Sequence, residues 1–145
     1  MKEHLAESIK RNLADTFAFS LKIQFYHWNV EGSDFYEYHK LFETIYDEVS
    51  GSIDLLAELI RTLDEYAPGT LGRMAQLSTV AEDEIIGTPR EMVSKLLDAN
   101  RAVLGNLYVT YKMAEQMGEM GISNAIQDRI QAHNKHNWFL TASGK

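Results

Sequence analysis

Five side chains stand out for the chemistry their types and spacing allow: His27, His39, Glu43, Asp54 and Glu58. His39/Glu43 and Asp54/Glu58 are each spaced i, i+4, which on a helix sets both members on one face, a turn apart. Imidazole nitrogen and carboxylate oxygen are donors that suit iron and zinc alike, so the chemistry on offer is metal binding. At ~100° per residue, positions 39, 43, 54 and 58 fall at about 0°, 40°, 60° and 100° around a helix axis, within one stripe. At ~1.5 Å per residue, Glu43 and Asp54 are nevertheless separated by roughly 16 Å along that stripe. Bonds to a metal ion are only about 2 Å long, so one helix cannot bring both pairs to one ion. An antiparallel second copy can. The two pairs share a midpoint between residues 48 and 49, and a twofold axis there sets each pair opposite its complement. Ser50, Gly51 and Ser52, just beyond the midpoint, are small enough for two helices to approach. The expectation is an isologous dimer with two identical sites, each built by both chains.

Other chemistries find no support. The chain has no cysteine, which removes disulfides, thiolate zinc sites and cysteine nucleophiles. It has no G-x-S-x-G elbow, no P-loop and no G-x-G-x-x-G after a strand. His133 and His136, spaced i, i+3, could pair but read rather as exposed polar residues, and His4 as part of a frayed start. Met113, Met117 and Met120 form a helical stripe expected to fill core. Gly105 is expected to mark close helix packing. Phe25, Tyr26, Trp28, Phe35 and Tyr36 flank His27 and are expected to pack in the core.

Positioning these residues requires helices. Leu5, Ile9, Leu13, Phe17, Leu21, Phe25 and Trp28 recur every three or four positions with charged residues between them, predicting an amphipathic helix over about 3–31. Gly32 ends it, and Ser33 or Asp34 can cap a second helix running to about residue 66. Ala67-Pro68-Gly69 opens a longer connection with a short helical piece near 73–80. Thr88-Pro89-Arg90-Glu91 reads as a capping box with proline at the first helical position, starting a third helix that continues to Gly118. Ile122, Ile126 and Ile130 set the rhythm of a fourth, ending near residue 142. There is no β-alternating run, internal repeat or low-complexity linker. The expected fold is all-α: one domain over 1–145, a four-helix bundle with a short extra helix between the second and third helices, the ferritin-like plan being one option.

Composition narrows the partners. One hundred and forty-five residues suit one core. Twenty-one acidic against fourteen basic residues give a net charge of −7, unsuited to generic nucleic-acid binding and compatible with collecting cations. No apolar run is long enough for a transmembrane helix, and the opening MKEHLAESIKRN lacks a signal peptide's apolar stretch, so a cytoplasmic protein is expected.

The segment His27-Trp28-Asn29-Val30-Glu31-Gly32, followed by His39-Lys40-Leu41-Phe42-Glu43 and Asp54-x-x-x-Glu58, resembles the Dps family of miniferritins. The likeness runs from about Leu5 to Ala142 and includes the short middle helix and Trp138. Classical ferritins fit less well, since no Glu-x-x-His motif is present. The resemblance implies a hollow dodecamer of twofold dimers. It also implies an intersubunit two-iron ferroxidase site that oxidises Fe2+ with hydrogen peroxide or O2, and storage of ferric mineral that protects against oxidative damage. By the same resemblance His27 and His39 come from one chain, and Asp54 and Glu58 from its mate. Glu43 stands where many members carry Asp, which bears on the second, weaker iron position. Trp28 corresponds to the aromatic beside the iron that quenches radicals. Zn2+ is a competitor for such donors. Members that bind DNA use Lys/Arg-rich tails; this chain offers only Lys2, Lys10, Arg11 and Lys145, so direct DNA binding is expected to be weak or absent. Asn124 falls where many members place an acid lining an iron-entry pore, leaving Asp128 and Glu119 as the nearby acids. The alternatives are a DNA-compacting structural member with little ferroxidase activity, and a catalytically silent bundle that uses metal only to fasten its dimer.

Overall fold

In a computed structural model, which describes residues 1–145, the first apolar repeat forms α1 (Lys2–Asn29) and buries Leu5, Ile9, Leu13, Phe19, Ile23 and Tyr26. Gly32, with φ +123°, takes the turn after it. α2 (Phe35–Ser50) and α3 (Ile53–Thr62) follow, then α4 (Leu71–Leu77), α5 (Pro89–Gln116) and α6 (Met120–Ser143). There is no strand. α1 packs along α2, α3 and α5, α5 packs along α6, and α4 lies against α1. The result is the ferritin-like four-helix bundle, with α2 and α3 as one bent helix and α4 as the extra helix of the connection.

The second helix was expected to be continuous to about residue 66; it bends at Gly51-Ser52 and ends at Thr62. At the bend the Ser52 amide bonds the carbonyl of Val49, three residues back, and the Ser52 hydroxyl donates to the same oxygen at 2.7 Å. That tightens one turn from α to 3₁₀ spacing. The helix stops where Asp64 enters the left-handed region at φ 62°. The third helix begins where its signals placed it: the Thr88 side chain accepts from the Glu91 amide, and Glu91 accepts from the Thr88 amide.

The long connection is tied down by one carboxylate. Asp15, fully buried on α1, accepts from the Thr79 amide (2.6 Å), the Thr79 and Ser78 hydroxyls and the Asn106 side chain (2.7 Å). It thereby joins α1, the segment after α4, and α5.

Three expectations about single residues fail. Met120 is 80% exposed, because the methionine stripe turns outward where α6 begins; Met113 and Met117 are half-buried. A Cβ on Gly105 would meet nothing within 4 Å, since that face of α5 looks outward and no helix packs there. Among the aromatics around His27, Tyr26 is in the core and Phe25 half-buried, whereas Trp28, Phe35 and Tyr36 lie at the surface.

Candidate metal centre

His27 lies in the last turn of α1 and His39 in the second turn of α2, on either side of the Gly32 turn. That turn folds the two rings onto each other, with centroids 3.9 Å apart and planes 14° from parallel. Each imidazole Nδ1–H donates to the other residue's backbone carbonyl: His27 to His39 O at 2.8 Å, and His39 to His27 O at 2.7 Å. A carbonyl oxygen can only accept, so Nδ1 carries a hydrogen in both rings and Nε2 is the nitrogen left to face a metal ion. This reciprocal pairing fixes tautomer and orientation together, as an outer hydrogen bond does for a metal-ligating histidine. Phe35 stacks on His39 at 4.9 Å and closes that side.

Glu43, one turn beyond His39, completes the group. Its Oε2 is 3.8 Å from His27 Nε2, and its Oε1 is 3.5 Å from Lys40 Nζ. Ligand atoms of His27, His39 and Glu43 all lie within 4.8 Å of one another, close enough to share one ion. Asp54 and Glu58 stand exposed on α3, outside this group. One chain therefore gathers three of the five candidate ligands and carries the other two elsewhere on its surface. Trp28, 63% exposed, borders a groove of about 630 Å3 between α1 and α4, lined also by Phe17, Leu21, Phe25 and Leu71. On α6, Asn124 and Asp128 are exposed and Glu119 stands at the N-cap.

Two polar clusters escaped the reading of the sequence. His133 and His136 are buried, not exposed. His133 Nδ1 is 2.7 Å from Asn100 Oδ1, and His136 Nε2 is 2.7 Å from Glu48 Oε1. Arg129 donates to both oxygens of Glu48, so this carboxylate bridges α2 to α6. Burial alone would raise the Glu48 pKa, but hydrogen bonds from His136 and Arg129 and their charge outweigh it. The carboxyl is held well below the usual range. Burial pushes His133 down to about 3, helped by the neighbouring Arg129 and His136 charges.

The second cluster centres on Asp83. Its Oδ2 accepts from the Tyr26 hydroxyl (2.5 Å) and Lys95 Nζ (3.0 Å), and its Oδ1 from the Ile85 amide (3.0 Å). The Tyr26 hydrogen bond leads in holding Asp83 down to about 2, with Ile85 and Lys95 adding to it. Nothing local in the sequence announced either cluster, since the partners come from separate elements.

Comparison with known proteins agrees with this architecture. A family model described as the ferritin-like domain matches residues 6–143. General stress protein 20U of Bacillus subtilis is similar at 28% identity over 142 residues, covering 98% of both chains. The DNA protection during starvation protein of Brevibacillus brevis is 29% identical over 143 residues, 98% of this chain and 95% of that one. A solved Dps protein from Vibrio cholerae O1, described as a member of a broad superfamily of ferritin-like diiron-carboxylate proteins, superposes with a TM-score of 0.92. It is 30% identical, over 99% of this chain and 91% of that one. With the domain match spanning nearly its whole length and Dps proteins matched end to end, the chain belongs to the ferritin-like family and, within it, to the Dps family.

Proposed function

We propose that this protein is a ferroxidase that oxidises Fe2+, with hydrogen peroxide or O2 as oxidant, and stores the ferric product within a hollow homo-oligomer in the cytoplasm. The assembly is a dodecamer of twofold dimers. Its effect is protection from oxidative damage, in keeping with the starvation and stress names of its relatives and the diiron-carboxylate description of the Vibrio cholerae protein. The observation that carries the reading is the reciprocal His27–His39 hydrogen bonding, which leaves both Nε2 atoms free beside the Glu43 carboxylate.

His27, His39 and Glu43 of one chain hold the substrate ion, and Asp54 and Glu58 of a second copy complete the shell. Neutral imidazoles suit Fe2+, and anionic carboxylates favour Fe3+ more, so the donor set pulls the ion toward its oxidised state. Two irons side by side supply two electrons to one peroxide, which takes two protons from solvent and becomes two waters without releasing a radical. Trp28, the residue after His27, takes the part of the aromatic that quenches radicals beside the iron. Zn2+ binds the same donors and competes. Direct DNA binding has no part in the reading, since the chain carries −7 and no basic cluster.

Anaerobic loading with Fe2+ followed by peroxide tests it. About one peroxide should be consumed per two irons oxidised, with ferric mineral co-eluting with the assembled protein. His39→Ala should lose the fast phase. Iron oxidation no faster than in buffer, or a fast phase unchanged in His39→Ala, would sink the reading and leave the DNA-compacting or purely structural alternatives.

A further inference from the structure

Tyr26 immediately precedes His27, so the two Cα atoms are about 3.8 Å apart. Its side chain points the other way, into the core, where it is fully buried against Phe42 at 6.3 Å. Its hydroxyl donates to Asp83 Oδ2 at 2.5 Å, and Lys95 and the Ile85 amide hold that carboxylate in place. No other tyrosine hydroxyl in the chain donates to a carboxylate; Tyr38 reaches only the carbonyl of Ser143. A buried phenol so paired can lose an electron and a proton together. The proton moves along an existing hydrogen bond, and no phenol cation has to be held in the low-dielectric interior.

We infer that Tyr26 is a one-electron relay for the neighbouring metal centre, with Asp83 as its proton acceptor. The inference rests on the ferroxidase reading and concerns turnovers in which only one iron is bound. A single Fe2+ reduces peroxide by one electron, giving Fe3+, hydroxide and a hydroxyl radical. Tyr26 reduces that radical to hydroxide, passes its phenolic proton to Asp83 Oδ2, and becomes a neutral tyrosyl radical. Asp83 releases the proton to solvent, which converts the hydroxide to water. A second Fe2+ arriving at the site then returns an electron to Tyr26, which takes back a proton. With the hydroxide of the first step also protonated from solvent, the sum is two Fe2+, one peroxide and two protons giving two Fe3+ and two waters, the same as the paired-iron reaction.

Exposure separates Tyr26 from its aromatic neighbours. Trp28 and Tyr36 are each 63% exposed on the single chain, so neither is enclosed by its own fold. Tyr26 has no exposed surface, and a radical there is shielded until the next iron arrives.

Two experiments on the assembled protein decide the matter. In the first, metal-free protein is pulsed with azide radicals, which oxidise exposed tryptophan. A concentration-independent phase should follow in which tryptophanyl absorption decays as tyrosyl absorption rises. Tyr26→Phe, which keeps the ring, should lose that phase, and Asp83→Asn should slow it. In the second, about one Fe2+ per site and excess peroxide are freeze-quenched for electron paramagnetic resonance. The wild-type tyrosyl signal should fall to background in Tyr26→Phe while spin-trapped hydroxyl radical rises. A tyrosyl signal of wild-type size in Tyr26→Phe, or no intramolecular phase in the wild type, overturns the relay. An unchanged rate in Asp83→Asn overturns the proton transfer. If iron is not oxidised at all, the ferroxidase reading fails, and the azide experiment alone decides whether Tyr26 accepts the electron hole.

Discussion

His133 carries a cost that depends on pH. It is fully buried between Asn100 and Arg129 and faces Phe19 edge-on at 5.7 Å, an environment with no room for a second positive charge. Its pKa is about 3 in the folded protein against an ordinary value of 6.5. Between those values the unfolded chain binds the extra proton and the folded chain does not, so stability falls as pH drops below about 6.5. Glu48 is shifted in the same direction, but its loss begins only near the ordinary carboxylate value of 4.5. The window from pH 6.5 to 4.5 therefore isolates the histidine. Urea midpoints measured across it should decline with a slope of up to roughly 1.4 kcal/mol per pH unit. His133→Gln, which can still donate to Asn100, should flatten most of that slope; an unchanged slope would place the effect elsewhere. The sequence could not reveal this residue, because an i, i+3 pair of histidines looks the same on an exposed face as on a buried one. The partners that decide it are distant: Asn100 lies 33 residues from His133, and Glu48 lies 88 from His136. His27, His39 and Glu43 were legible for the opposite reason: a glycine turn and one helical step bring them together within seventeen consecutive residues.

At the scale of elements, local signals worked where the determining contacts are local. The Thr88 capping box is complete within four residues, and α5 starts where it says. The α2–α3 bend is different. Apolar periodicity continues through it, and what breaks the helix is one serine hydroxyl competing for the carbonyl of Val49. The bend also means that a straight-helix projection of Glu43 and Asp54 onto one stripe is only approximate. The connection from α4 to α5 is likewise fixed by something periodicity cannot report, the Asp15 carboxylate. Truncating it in Asp15→Ala would leave the Thr79 amide, the Asn106 side chain and two hydroxyls without their acceptor in a part-buried site. Hydrogen bonds to a charged group contribute about 1.5–3 kcal/mol, so the variant should lose about 2–4 kcal/mol in urea unfolding. Hydrogen exchange should locate the damage, with the Thr79 amide losing protection before the centre of α5 does. A loss below about 0.5 kcal/mol, or uniform deprotection, would mean the segment is held by its apolar anchors Met74, Leu77 and Val80 instead.

The surface of the single chain leaves an apolar groove uncovered between α1 and α4. Leu21 is 52% exposed, Trp28 63% and Leu71 76%, and all three border the same groove. His27, His39 and Glu43 gather without Asp54 and Glu58, and the proposed function completes the site with those two carboxylates from a second copy. The proposal has a quantitative consequence that no single-chain site shares. His39→Ala and Glu58→Ala each destroy every site in a homodimer, since each site needs His39 from one chain and Glu58 from the other. In a mixed dimer the losses segregate: one site lacks both residues and the other has both intact. Random mixing of equal amounts before assembly makes half the dimers mixed, so about a quarter of all sites should recover. The fast phase of Fe2+ oxidation should return to about a quarter of the wild-type amplitude, from two parents that each show none. If the site is built within one chain, mixing restores nothing. If Asp54 and Glu58 take no part, Glu58→Ala alone keeps the fast phase. Mixing His39→Ala with Glu43→Ala is the matched control, because both residues belong to the same half of the site. No arrangement of that pair in a dimer rebuilds a complete one, and its fast phase should stay absent.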